Sequence, residues 1–114
     1  MRIKQIVEEL SLVVLTGKEL LERDVSNAYC CDLLSWVMAH GTGNDIWITV
    51  QTHLNVVAVA VLLEIPCVII PENKKVDQET LEKAEQEHIV LLSSHLTSYE
   101  LAGRLYQMGI GSVN

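Results

Sequence analysis

The sequence predicts an α/β protein: a three-layer α/β/α sandwich on a mainly parallel sheet, formed as a single domain over residues 1–114. Three observations carry that reading. Strand-like and helix-like segments alternate three times with short connections, a pattern that demands parallel strands, right-handed crossovers and helices on the sheet faces. The strand-like segments are continuous β-branched runs, as in strands covered on both faces. The chain is 49% hydrophobic but only 4% aromatic, with no Phe, so its 114 residues can fill one aliphatic core.

Taken in order, residues 2–10 (RIKQIVEEL) put Ile3, Ile6, Val7 and Leu10 on one face at helical spacing, an amphipathic helix. Residues 12–15 are a strand stopped by Thr16-Gly17. Residues 18–24 are short and charged, enough for one helical turn, and residues 25–30 supply a second strand or an extended lead-in. In residues 31–40, Leu33, Leu34, Val37 and Met38 share a face, Asp32 can cap or charge the first turn, and Gly41 ends the helix. His40, near that end, suits the helix dipole.

The central unit is residues 45–64 (DIWITVQTHLNVVAVAVLLE). Residues 46–50 read as a buried strand, followed by the polar break Gln51-Thr52-His53. The Val/Ala alternation of Leu54–Leu63 alone would allow a strand; its length, its alanines and the lack of a hairpin turn after Val50 favour a buried helix, with Thr52 as cap. Cys67–Ile70 is a third apolar strand and residues 71–75 a turn. Residues 77–87 are a solvated acidic helix with Asp77 as cap and Lys83 four residues from both Glu79 and Glu87. Residues 89–92 are a fourth strand. Thr97-Ser98-Tyr99-Glu100 is a capping box opening a last helix with Leu101, Ala102, Leu105 and Met108 inward and Gly109 at its end; residues 110–114 are expected to fray.

Charge and composition exclude several classes. A net charge of −7 with no basic cluster argues against nucleic acid or an anionic membrane as partner. No apolar run reaches the roughly 20 residues of a bilayer span, and Met1-Arg2-Ile3-Lys4 leads into an amphipathic stretch, so a cytoplasmic protein is expected. Cys30 and Cys31 are adjacent and Cys67 sits in an apolar run; without metal-type spacing or an even framework, all three read as buried reduced thiols. Trp36 and Trp47 sit among apolar neighbours, as core or dimer surface.

Two polar elbows carry the candidate ligand-binding residues. Gln51, Thr52, His53 and Asn55 combine a strand end with a helix start, where donors can meet an anionic or nucleotide-like group. Ser93, Ser94, His95 and Thr97 repeat the arrangement: VQTHLNVVAVA and LSSHLTSYELA share a His-Leu elbow after a strand. If both strands are parallel, His53 and His95 lie at the same sheet edge and the elbows can form a joint crevice. The plainer reading is that these side chains cap helices and satisfy backbone groups. Two histidines without a third ligand make no metal site, no cofactor is implied, and no acidic partner for His53 is identifiable.

VLTGKELL at residues 14–21, DIWITVQTHLNVVAVA, CVIIP and HIVLLSSHLTSYELAGRLY together resemble the DRTGG domain family over residues 10–110. The position of its eponymous motif corresponds to residues 50–53, which carry no Asp, Arg or Gly. That family is similar to the N-terminal domain of bacterial HPr kinase/phosphorylase, and related copies occur in phosphotransacetylases and beside CBS modules in pyrophosphatases. The resemblance implies an accessory, regulatory domain. Phosphoryl transfer of the kinase type needs a Gly-rich loop followed by Lys-Ser/Thr, and HGTGND at residues 40–45 has neither the spacing nor the Lys.

The expected function is a stand-alone non-catalytic regulatory domain, a homodimer that binds a small anionic or nucleotide-like ligand and acts on a partner protein. A ligand-free dimeric scaffold is the alternative, and a kinase-associated phosphotransfer component the third reading.

Overall fold

The computed structural model describes residues 1–112. Five helices, α1 (Ile3–Leu10), α2 (Leu34–His40), α3 (Leu54–Leu63), α4 (Gln78–Gln86) and α5 (Ser98–Gln107), interleave with six strands, β1 (Val13–Thr16), β2 (Asn27–Cys30), β3 (Asp45–Ile48), β4 (Cys67–Ile70), β5 (Val90–Ser93) and β6 (Gly111–Ser112). The strands form one sheet in the order β1-β5-β4-β3-β2-β6. Among the described strands only β1 runs antiparallel, at one edge; the four other pairings are parallel.

Two apolar layers sandwich the sheet. On one face α1 and α5 bury Ile3, Ile6, Leu10, Leu101 and Leu105 against Ile46, Ile48, Ile69 and Leu92. On the other, α2, α3 and α4 bury Val37, Val56, Val57, Ala60 and Ala84 against Trp47, Val68, Ile70 and Leu91. Successive strand residues point to opposite faces, so burial on both explains why β3 and β4 carry no polar alternation. From β2 to β5 the chain steps across neighbouring strands with every crossover helix on the same face. The return from β5 to β6 runs the other way, and α5 lies on the opposite face, as a constant crossover hand requires.

A register shift interrupts the β1/β5 ladder between Val14 and Thr16. There the Thr16 hydroxyl, buried, donates to the Ile89 carbonyl at 2.8 Å and accepts from the Leu91 amide at 3.0 Å, replacing the missing ladder partners. Gly17 follows at φ 77°, and a Cβ there would stand 2.9 Å from Cγ2 of Val90, so only glycine fits the close approach of the chain to β5.

The structure corrects several expectations. α2 begins at Leu34, and Asp32 caps nothing on it: its carboxylate turns to the end of β3. Leu33 and Met38 do not share the buried face of Val37; both are exposed. At the start of α3 the N-cap position belongs to His53, not Thr52. That helix buries one side only. Leu54, Val61 and Leu62 stay exposed, because one sheet face can cover only half of an all-apolar helix. Cys30 is exposed and only Cys67 is buried, since β2 lies towards the sheet margin. Gly111 and Ser112 do not fray: they pair in parallel with Asn27 and Ala28, while residues 113–114 lie outside the described residues. Trp47 is core and Trp36 surface. The Thr97–Glu100 capping box forms as the sequence predicts, with Thr97 Oγ1 accepting from the Glu100 amide at 3.2 Å.

Candidate ligand-binding edge

Because β3, β4 and β5 are parallel, the segments that follow them emerge at one sheet edge. Here β4 leaves towards α4 on one face and β5 towards α5 on the other. Neighbouring strands whose connections part in this way leave a crevice between them, the position where open α/β sheets bind ligands.

The loop after β4 crosses that position in an unusual conformation. Glu72 and Asn73 both take left-handed backbone angles, φ 60° and 52°, a region that L-residues other than Asn and Asp rarely enter. Two hydrogen bonds hold them: the Glu72 amide donates to the Leu96 carbonyl at 2.9 Å and the Asn73 amide to that of Ser94 at 2.8 Å. The two post-strand loops are thereby tied together.

Lys74 and Lys75 follow, the only adjacent pair of basic residues in a chain of net charge −7. Both are exposed. They line a cleft of about 790 Å³ with Asn73, Asp77, Gln78 and Ser93 among its polar residues and Leu15, Val76 and Leu81 among its apolar ones. Lys74 Nζ also donates to the Val50 carbonyl at 2.8 Å, which brings the β4 loop against the β3 elbow. A second cleft, of about 570 Å³, lies between the starts of α3 and α4 and is lined by His53, Leu54, Asn55, Asp77, Gln78, Glu79 and Thr80. In it His53 Nδ1 lies 3.2 Å from Asp77 Oδ2. The acidic partner of His53 therefore exists, 24 residues away and invisible to local reading.

The sequence-selected residues divide into two groups. His53 and Asn55 line the second cleft and Ser93 the first, with Asp77 and Gln78 common to both clefts. His95 is exposed at the same edge. The others are occupied by the fold. Gln51 Nε2 donates to the Asp32 carbonyl at 3.0 Å, Thr52 is buried with its carbonyl accepting from Thr80 Oγ1 at 2.7 Å, buried Ser94 Oγ accepts from the Leu96 amide at 3.0 Å, and Thr97 caps α5. Asp32 completes this scaffold, its Oδ1 accepting from Thr49 Oγ1 at 2.8 Å and from the Val50 amide at 3.0 Å.

Sequence reasoning passed over Asn73, Lys74 and Lys75, reading residues 71–75 only as a turn. The available signal was position: once three strands are parallel, every post-strand loop shares the edge with the two elbows. Among the described residues no group of three or more His, Cys, Asp or Glu side chains could hold a metal ion, and no helix is long and apolar enough to cross a membrane.

The fold defines a three-layer α/β/α domain on a mainly parallel sheet. No family model matches the sequence, and no curated protein sequence matches it. Among solved structures the chain is similar to the crystal structure of the CBS and DRTGG domains of the regulatory region of Clostridium perfringens pyrophosphatase, complexed with its activator diadenosine tetraphosphate. The TM-score is 0.72 at 15% identity, over 96% of this chain and 47% of the other. The chain thus spans about half the length of that regulatory region, and the likeness is one of fold.

Proposed function

We propose that residues 1–114 form a single DRTGG-type regulatory domain that binds a small anionic, nucleotide-type ligand at the edge between β4 and β5 and passes the binding state to a partner protein or neighbouring domain. The observation that carries this reading is the lysine pair on the β4–α4 loop, lining a cleft beside the end of β5. A phosphate chain needs cationic donors in a concave place, and in a chain of net charge −7 this loop supplies them beside an apolar floor on which a base or ribose can rest. The activator of the similar pyrophosphatase region, a dinucleotide polyphosphate, has that chemistry. The second cleft, which shares Asp77 and Gln78 with the first and adds Glu79 without a lysine, suits a neutral or hydrogen-bonding part of the ligand, with His53 and Asn55 as donors. On this reading the edge binds a ligand and does not catalyse.

A thermal-shift series with ATP, diadenosine tetraphosphate and acetyl phosphate tests it. A ligand at 100 times its dissociation constant adds about 2.7 kcal/mol, a rise on the order of 10 °C for a chain of this size. A flat series at millimolar ligand would favour the ligand-free scaffold.

A further inference from the structure

The face turned away from the sheet by α2 and α3 differs from the rest of the surface. The exposed sides of α1, α4 and α5 carry Lys4, Glu8 and Glu9, then Glu79, Glu82 and Lys83, then Glu100 and Arg104 beside the open Tyr99 and Tyr106. Neither α2 (LSWVMAH) nor α3 (LNVVAVAVLL) contains a single Asp, Glu, Lys or Arg. On α3 the open residues Leu54, Ala58, Val61 and Leu62 recur at helical spacing, and Leu33 just before α2 and Trp36 on it are open as well. Leu62 is 64% and Trp36 54% exposed, far beyond what a sheet-facing stripe leaves open. Together these side chains present on the order of 500 Å², the upper range for a patch on a monomer and the larger part of the ~800 Å² per partner in a standard interface.

We propose that this face is the interface of a homodimer in which two copies of α3 cross antiparallel about a two-fold axis at Ala58. Two features of the face select a second copy as occupant. The first is charge. Two chains of net charge −7 repel each other, and α2 and α3 themselves bring no charged side chain to a contact between copies. The second is the symmetry of the stripe. Leu54 and Leu62 stand at equal distances in sequence on either side of Ala58, so an antiparallel two-fold crossing sets Leu54 of each copy against Leu62 of the other, around a small residue that lets the backbones approach. Such self-complementarity is what an isologous contact requires.

Analytical ultracentrifugation between 1 and 100 µM (on the order of the range that separates weak from stable dimers) reads the oligomeric state. The expected result is a species of twice 12.7 kDa for the wild type. Leu62→Glu, at a site open to solvent, is expected to raise the dimer dissociation constant by 100-fold or more while keeping its thermal unfolding transition, which reports an intact fold. Ala58→Cys in a Cys30→Ser, Cys31→Ser background is expected to cross-link on mild oxidation, since the axis brings the two side chains together. A wild type that stays at 12.7 kDa at 100 µM overturns the proposal, as does a dimer insensitive to Leu62→Glu or one in which the Ala58→Cys variant forms no cross-link.

Discussion

His53 Nδ1 stands 3.2 Å from Asp77 Oδ2, so the residues at the N-cap positions of α3 and α4 face each other across a cleft instead of capping their own helices. Both side chains are more than half exposed, and an exposed pair of this kind contributes about 0–1 kcal/mol. His53→Ala and Asp77→Asn are therefore each expected to lower the unfolding free energy measured in urea by less than about 1 kcal/mol. A loss of several kcal/mol in either would show that the pair holds the edge together and does not merely line it.

Thr16 has the opposite character. Its buried hydroxyl serves both the Ile89 carbonyl and the Leu91 amide where the β1/β5 register shifts. Thr16→Val keeps the shape and strips both partners, an expected loss of about 1–3 kcal/mol in chemical denaturation, whereas Thr16→Ser is expected to recover most of it. Equal stability of the valine and serine variants would contradict this account of the bulge.

Asp32 anchors the end of β3 through the Thr49 hydroxyl and the Val50 amide. Asp32→Ala is expected to cost about 1–3 kcal/mol and to speed hydrogen exchange at the Val50 amide. Unchanged exchange at Val50 would show that the loop is held by other means.

Cys67 links stability to pH. Burial pushes its thiol up to about 12, against an ordinary value of 9.0. In the unfolded chain the thiol ionises above 9.0 while the folded protein keeps its proton, so the unfolded state binds fewer protons between pH 9 and about 12 and stability falls across that window. The slope from this group is about 1.4 kcal/mol per pH unit. Urea midpoints at pH 8 and pH 10 are expected to converge in Cys67→Ala relative to the wild type, and native protein is expected to leave Cys67 unlabelled by a thiol reagent that reaches exposed Cys30. An identical fall in both proteins would assign the pH dependence to other groups.

Local signals made much of this structure legible in advance. The Thr97–Glu100 box, the Cys67–Ile70 run and the bounds of Leu54–Leu63 are written in residues next to one another, and the three-fold alternation of element types implies the parallel sheet. What stayed hidden depends on distant partners. Thr16 meets Ile89 across 73 residues, His53 meets Asp77 across 24, and Asp32 leaves its expected cap for Thr49 across 17. Gly111 and Ser112 have no strand character of their own and become β6 because Asn27 and Ala28 offer them a ladder. Exposure of Cys30 and of the outer side of α3 follows from which helices cover which strands, a property no single segment carries. At the site, His53, Asn55 and Ser93 were identifiable as elbow residues, but the lysine pair became significant only once β4 and β5 were known to diverge at that edge.

The central claim is that Lys74 and Lys75 receive a phosphate-bearing ligand at the β4–β5 edge. Isothermal titration calorimetry of diadenosine tetraphosphate into the wild type and into the Lys74→Ala/Lys75→Ala double variant tests it most directly. The predicted result is saturable binding by the wild type that weakens with added salt and falls by about 10- to 100-fold or more in the double variant, the loss expected for charge-assisted hydrogen bonds. Binding of equal strength in both proteins, or no heat from either at millimolar nucleotide, would contradict it.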